Sequence, residues 1–278
     1  TSLVSIITGY KNCVYAFAGL GYLFSLTNYH LVIITKIIGM ILRLSVKKDS
    51  IRVIIQNSYD KNIILKNKIT FNKNIRLIRG SGVDINKFYY QPISKKNNIV
   101  LLPARMLWDK GVGEFVKVAK LIKKEFSNVR FVLVGAPDRH NPMSVEESIL
   151  LDWHSQGFVE WWGEKTNMPE IYHSAKIVCL PSYHEGLPKS LIEAASCGRP
   201  IVTFDIPGCR AIVKDGSNGF LVELRNTYKL AKAISTLLKN YELCQTLGEN
   251  GRSLVEKYFT QEKIARETIA VWEEVLAS

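Results

Sequence analysis

A chain of 278 residues, 47% hydrophobic and 22% charged, can bury the cores of two ordinary domains and is too apolar to be disordered. Its formal charge of +12 is unevenly placed: residues 1–96 carry fifteen Lys/Arg, three Asp and no Glu, so residues 97–278 are neutral. Five histidines without an HxxxH or His/Cys cluster offer no metal site, and five cysteines without a CxxC spacing read as reduced thiols of a cytosolic protein.

The basic third asks for an anionic partner, which could be a membrane surface, a phosphorylated substrate or nucleic acid; a Lys/Asn/Ile-rich usage leaving a solvated basic face is the plain alternative. Nucleic acid is the weakest of these, because no recognisable module interleaves aromatics with the cations. The chain opens at Thr1 with no charged leader and apolar core, so no signal peptide is read, and a natural start upstream is expected.

Residues 2–8 read as a strand and 18–22 as a tight glycine loop, whose lone GxG is weak evidence for dinucleotide binding. Residues 29–46 are strongly apolar, with Lys36 and Arg43 inside the run. That is short for a membrane span once the charges are counted. An amphipathic helix fits better, packed in a core or lying on a membrane surface. Strands at 51–56 and 75–78 flank a helix at 59–69, the alternation of a parallel α/β half. Residues 89–98 lose periodicity and read as an interdomain linker.

A second α/β half follows. Strands are expected at 99–103, 129–134, 158–162, 176–180, 201–204 and 220–222, with helices at 113–126, 145–155 and 168–175 and another opening at Pro188. From Thr227 the pattern is helical to Val271 and beyond, interrupted near 258–261. Strict alternation predicts a doubly wound parallel sheet with ligands at the strands' carboxyl ends.

Three strand-end loops bring suitable residues to that edge: Arg105 and Lys110, then Gly135, then Glu185 and Gly186. The last loop opens onto a helix whose N-terminal amides lack partners and favour an anion. Arg105 and Lys110 offer a planar fork and a point charge to a diphosphate, although each alone reads as a surface cation. Glu193 stands about one and a half turns into the helix. A glycosidase-type dyad of Glu185 and Glu193 is not supported. A fully helical path puts them about 12 Å apart at 1.5 Å per residue, against roughly 5 Å or 6.5–9.5 Å for hydrolase pairs. One carboxylate at each end of an extended ligand is the more natural division.

These residues also carry a resemblance. Glu185-x7-Glu193 followed by Ala194-Ala195-x-Cys197-Gly198-x-Pro200 resembles retaining family-4 glycosyltransferases of the GT-B fold, also called glycosyl transferases group 1. Arg105 with Lys110-Gly111 is similar to that family's Arg-x4-Lys-Gly element. Gly80-Ser81-Gly82-Val83-Asp84-x3-Phe88 and Pro207-Gly208-Cys209-Arg210 with Asp215-Gly216-x2-Gly219 match two further stretches. The resemblance is nearest to bacterial members that build lipid-linked oligosaccharides and surface polysaccharides.

It implies two Rossmann-like domains facing a cleft: residues 1–92 on the acceptor side and incomplete, 93–258 binding the nucleotide sugar, and a helix at 259–278 crossing back. Glu193 would hold the ribose hydroxyls. Arg105, Lys110 and the helix end at Leu187, Pro188 and Ser190 would neutralise the diphosphate. Glu185 with the amides of Gly186 and Leu187 would position the sugar. Gly135 would lie near the donor, and the Gly163-Glu164-Lys165 turn would correspond to the base-binding region, unless it is only a strand-end turn.

The implied reaction moves a hexose or N-acetylhexosamine from a UDP-sugar to a lipid-linked or polysaccharide acceptor, without a metal or other cofactor. Residues 1–96 would touch the anionic inner leaflet. Two departures stand out: Ala211 replaces a usually acidic residue, and the first half is short. A silent nucleotide-sugar-binding remnant and a UDP-sugar epimerase are the rival readings.

Overall fold

The computed structural model describes residues 12–19, 29–46 and 50–277, the side chains of 29–37 excepted. The strand expected at 2–8 and residues 20–22 of the glycine loop lie outside them. Two compact units form: Val83–Thr260, and Thr1–Gly82 joined by Gln261–Ser278.

In the first unit, β1 (Cys13–Phe17), β2 (Ile51–Ile55) and β3 (Ile75–Leu77) make a parallel sheet in the order 1-2-3. β1 was not expected from the sequence; its CVYAF run is apolar throughout but only five residues long, and periodicity alone does not tell so short an apolar run as strand or helix. Helix α1 (Tyr29–Val46) and α2 (Ser58–Lys66) follow β1 and β2. The described part of α1 takes the core-packed alternative on one side, with Leu42 and Val46 buried, while Met40 and Leu44 are exposed. Among the described residues no helix is long and apolar enough to cross a membrane.

The last helix, α10 (Gln261–Leu276), buries Ile264 and Val271 with Ile54 and Ile78. Its Glu274 accepts from Arg52 and Arg76, so part of the basic excess is neutralised on β2 and β3 themselves.

The second unit is a six-stranded parallel sheet. It comprises β4 (Ile99–Pro103), β5 (Arg130–Val134), β6 (Glu160–Trp161), β7 (Ala175–Leu180), β8 (Ile201–Phe204) and β9 (Gly219–Val222). The spatial order is β6-β5-β4-β7-β8-β9. Winding runs outward from β4 to β6, then returns to β7 beside β4 and runs the other way to β9. The direction reverses between β4 and β7, so the loops after these two strands diverge and leave a crevice at their carboxyl ends. Both strands are near-continuous apolar runs, buried because helices cover both sheet faces.

The helices are α3 (Val112–Ile122), α4 (Glu147–Ser155), α5 (Met168–Ser174), α6 (Lys189–Ser196), α7 (Pro207–Arg210), α8 (Thr227–Lys239) and α9 (Tyr241–Tyr258). α3 stops four residues short of the expected 126. The long C-terminal helical pattern breaks at Asn240, where the side chain caps α9 by accepting from the Leu243 N–H at 2.9 Å.

The boundary between units falls at Gly82/Val83, not in the expected linker at 89–98. That stretch is irregular yet tied down within the second unit. Ile93 is buried, its N–H donates to Gln245 at 2.8 Å, and its carbonyl accepts from Tyr241. Arg199 is completely buried and donates to the carbonyls of Gln91, Ala175 and Cys197. Burial pulls its pKa down to about 10, so it stays charged at neutral pH. A stretch with no periodicity is therefore held by polar side chains that reach its backbone.

Candidate functional site

The site begins with close backbone contacts at the switch point. Gly111 ends the short 3-10 turn Trp108–Lys110 with φ +75, and a Cβ there would lie 2.0 Å from the Pro181 carbonyl oxygen. Only glycine allows both the left-handed backbone and that approach. The turn after β4 thereby presses against the end of β7. The Tyr183 N–H donates to the Asp109 carbonyl at 2.8 Å, and Ser182 Oγ donates to the same oxygen at 3.1 Å.

From the other side, a Cβ on Gly208 would sit 2.2 Å from the Glu185 carbonyl oxygen and 2.8 Å from that of Gly186. The Pro207-Gly208 motif thus sets the path of the Glu185 loop by proximity rather than by a side chain. Thr203 reinforces this on β8, its Oγ1 donating to the Leu180 carbonyl at 2.6 Å and lying 3.1 Å from Cys209 Sγ.

The consequence is a pairing at the crevice. Lys110 Nζ donates to Glu185 Oε1 at 2.7 Å, with the two side chains only 17% and 11% exposed. Beside them one oxygen of Asp109 is buried without a hydrogen-bond partner. Burial holds the His184 imidazole below its ordinary pKa, against the opposing pull of Asp109. Tyr183 stands behind the loop, its ring stacked on Phe204 and under the Arg225 guanidinium. Burial, with the Glu114 carboxylate adding to it, pushes the Tyr183 hydroxyl up to about 12.

Arg105 is placed differently. Its Nη1 donates to Asp138 Oδ2 at 2.7 Å on the loop after β5, and its side chain is 61% exposed. Gly135 lies beneath that region, with φ +143 and no room for a Cβ, which would meet the Ala104 carbonyl at 1.9 Å.

The helix that opens the sequence motif is α6, with the buried Pro188 as its N-cap and no capping side chain. The Leu191 and Ile192 amides reach back to the Pro188 carbonyl, which leaves those of Lys189 and Ser190 without an intrahelical acceptor. Leu187 packs partly buried against the core, and Gly186 is fixed by its contact with Gly208. Glu193 points from α6 toward α5. Its Oε2 accepts from the Tyr172 hydroxyl at 3.0 Å, while Lys189 Nζ lies 4.0 Å from Oε1. Burial raises the Glu193 pKa, and Tyr172, Lys189 and Lys87 pull the other way.

Glu164 and Lys165 are exposed on the turn after β6. Lys165 lines a cavity of about 500 Å³ with Trp162, Thr166, Asn167, Glu170 and Ile171.

Three pairings involve the expected residues, while Glu164 and Lys165 stand apart on the turn after β6. Lys110, Glu185 and Gly186 are brought together directly. Glu193 and Ser190 share Tyr172, whose hydroxyl also lies 3.1 Å from the Ser190 carbonyl. Arg105 is engaged by Asp138. Tyr172 and Asp138 were not read from the sequence, since neither bears a fixed spacing to its partner. The only available signal for Tyr172 was a polar-tipped aromatic on the helix leading into the central strand. Among the described residues no group of three His, Cys, Asp or Glu could hold a metal ion, and all five cysteines are free.

Residues 86–254 match the family model described as glycosyl transferases group 1. A curated relative from Campylobacter jejuni is 31% identical over 215 residues, covering 73% of this chain and 55% of its own length. It is the N,N'-diacetylbacillosaminyl-diphospho-undecaprenol alpha-1,3-N-acetylgalactosaminyltransferase. The chain spans about half the length of the curated relatives it matches.

Among solved structures, a variant of S. aureus TarM in complex with fondaparinux, alpha-GlcNAc-glycerol and UDP is 26% identical with a TM-score of 0.66, covering 80% of this chain and 43% of its own. Anabaena HepE in complex with UDP is 20% identical, has a TM-score of 0.79 and covers 98% of this chain and 74% of its own. These fold neighbours are GT-B glycosyltransferases, and the parallel α/β architecture expected from the sequence is the one found.

Proposed function

The chain belongs to the group 1 glycosyl transferases, and from that premise we propose that it moves a hexose or N-acetylhexosamine from UDP to a lipid-linked or polysaccharide acceptor with retention at the anomeric carbon. The observation that carries this reading is the meeting of Lys110 with Glu185 at the sheet's switch point, with the uncapped start of α6 in the same strand-loop-helix unit. A diphosphate needs cations and unpaired N–H groups; a sugar needs a carboxylate and backbone amides beside them.

In this reading Lys110 and Arg105 neutralise the leaving diphosphate as its charge develops, together with the N–H groups at the start of α6. Lys110 has three donors and can hold phosphate while keeping Glu185. Arg105 first has to leave Asp138, which is cheap because an exposed ion pair contributes about 0–1 kcal/mol. Glu185 and the Gly186 and Leu187 amides orient the sugar, and Glu193 accepts the two ribose hydroxyls. Gly135 leaves backbone space next to the diphosphate. The base enters the cavity lined by Trp162 and Lys165, next to Glu164. No side chain is assigned as general base: the departing phosphate oxygen takes the acceptor's proton on the same face, and the residues described ask for no metal. The basic residues 1–96 are proposed to meet an anionic membrane surface.

UDP is favoured because the TarM complex contains it, and a lipid-linked acceptor because the C. jejuni relative's name specifies one.

The test is release of UDP from UDP-sugars with undecaprenyl-diphosphate-linked or teichoic-type acceptors. Arg105→Ala and Glu193→Ala should each lower kcat/KM by about 100- to 1,000-fold. Turnover at the normal rate by both variants overturns the site. If the chain binds UDP tightly yet releases none in any assay, the transferase reading fails and a binding module remains.

A further inference from the structure

Glu193 does not stand alone on α6. Tyr172, from α5, is the neighbour that meets its carboxylate, and nothing in the proposed reaction yet uses it. The Tyr172 side chain is fully buried, its ring making an edge contact with Phe88 at 6.1 Å. Its hydroxyl reaches Glu193 Oε2 at 3.0 Å and the Ser190 carbonyl at 3.1 Å. With one proton to give and two acceptors in range, the charged carboxylate takes it in preference to the amide oxygen.

We propose that Tyr172 is the positioning residue of the ribose clamp: its hydroxyl occupies one oxygen of Glu193 and turns the carboxylate so that its remaining lone pairs face the two ribose hydroxyls. This rests on the nucleotide-sugar reading above, and it assigns Tyr172 no contact with substrate.

The environment shows why such a residue is needed. The groups that act on Glu193 electrostatically are Lys189 from its own helix, Lys87 from the segment before Phe88, Cys197 one turn further on, and Tyr172. Lys189 is 4.0 Å from the carboxylate and 63% exposed, too distant and too solvated to set its orientation. A neutral donor can hold the carboxylate without competing for the diphosphate, as a nearer cation would. Tyr172 itself cannot ionise near neutral pH, because burial and the adjacent carboxylate hold its pKa well above the ordinary phenol value.

The pH dependence gives the role a signature. Glu193 binds ribose when ionised, so affinity is present above its pKa and is lost as pH falls through it. Burial already raises that pKa, and the Tyr172 hydroxyl opposes the rise. Removing the hydroxyl therefore moves the acid loss of binding to higher pH.

The experiment is calorimetry of UDP-glucose against pH for the full chain, with Tyr172→Phe, Glu193→Gln and their double variant. UDP-glucose keeps its charge over the range, unlike UDP. Tyr172→Phe should weaken binding about tenfold at neutral pH, as expected for one hydrogen bond to a charged group, and shift the acid limb upward. Glu193→Gln should weaken binding and lose the limb, and in that background Tyr172→Phe should add little.

A Tyr172→Phe variant with lower thermal stability but an unmoved limb and wild-type affinity overturns the proposal, since packing alone then explains the residue. If Glu193→Gln binds like the wild type, the ribose reading fails instead, whatever Tyr172→Phe does. Loss of the histidine contributions is not at issue, because all four proteins share His173 and His184.

Discussion

The two carboxylates of the Glu185-x7-Glu193 element are held in opposite ways. Glu185 sits on a loop shaped by two glycines and is closed by a lysine at 2.7 Å. Glu193 sits on a regular helix, with only a neutral phenol within hydrogen-bond range among the bonds described. The first arrangement places a cation where a diphosphate would lie. The second keeps cations at a distance from a carboxylate that, in the proposed function, accepts neutral hydroxyls. One motif therefore offers two environments, because loop and helix supply different neighbours.

The sharpest way to break this contrast is through the glycines. Gly111→Ala must move the Pro181 carbonyl and adopt φ +75, so about 3 kcal/mol of stability should be lost together with UDP affinity. Thermal denaturation with and without UDP measures both; a neutral Gly111→Ala refutes the account of the Glu185 loop.

Lys110→Met comes next. It strands a carboxylate that is only 11% exposed, at a cost of about 3 kcal/mol, and adding Glu185→Gln should recover most of it. A double variant no more stable than Lys110→Met alone contradicts the pairing.

Glu193→Gln should act in the opposite sense on stability. A carboxyl whose folded pKa is raised binds protons more tightly in the native state, so its penalty is absent at acid pH and fully present above the folded pKa. At pH 7 the amide should raise Tm by about 2 °C, with the gain vanishing in acid. A lower Tm at pH 7 shows that the carboxylate is stabilising and the burial account wrong.

Asp138→Ala has the smallest effect. The Arg105 pair is exposed, so stability should change by less than about 1 kcal/mol, while UDP affinity should rise about twofold as Arg105 is released. A marked loss of affinity would assign Asp138 to orienting Arg105 rather than withholding it.

The strands of the second unit were legible because burial on both sheet faces leaves near-continuous apolar runs, as in Ile99–Pro103 and Ala175–Leu180. The carboxylates and cations were legible because they stand at fixed offsets after those runs. β1 and the break at Asn240 were not: five consecutive apolar residues carry no period, and a single Asn between two amphipathic helices changes no hydrophobic face. The stretch 89–98 reads as a linker because its anchors, Arg199, Gln245 and Tyr241, lie more than a hundred residues away.

By itself, the amino-acid sequence determined the α/β alternation and the family, and it marked the loops proposed to carry the chemistry, since these depend on local periodicity and short spacings. Only the tertiary structure decided who meets whom. Lys110 takes Glu185 because the reversal of strand order between β4 and β7 brings their loops together; Arg105 meets Asp138 from the loop of the neighbouring strand β5, and Tyr172 meets Glu193 helix to helix. The stretch from Tyr183 to Pro200 names both carboxylates, while their partners lie elsewhere in the chain.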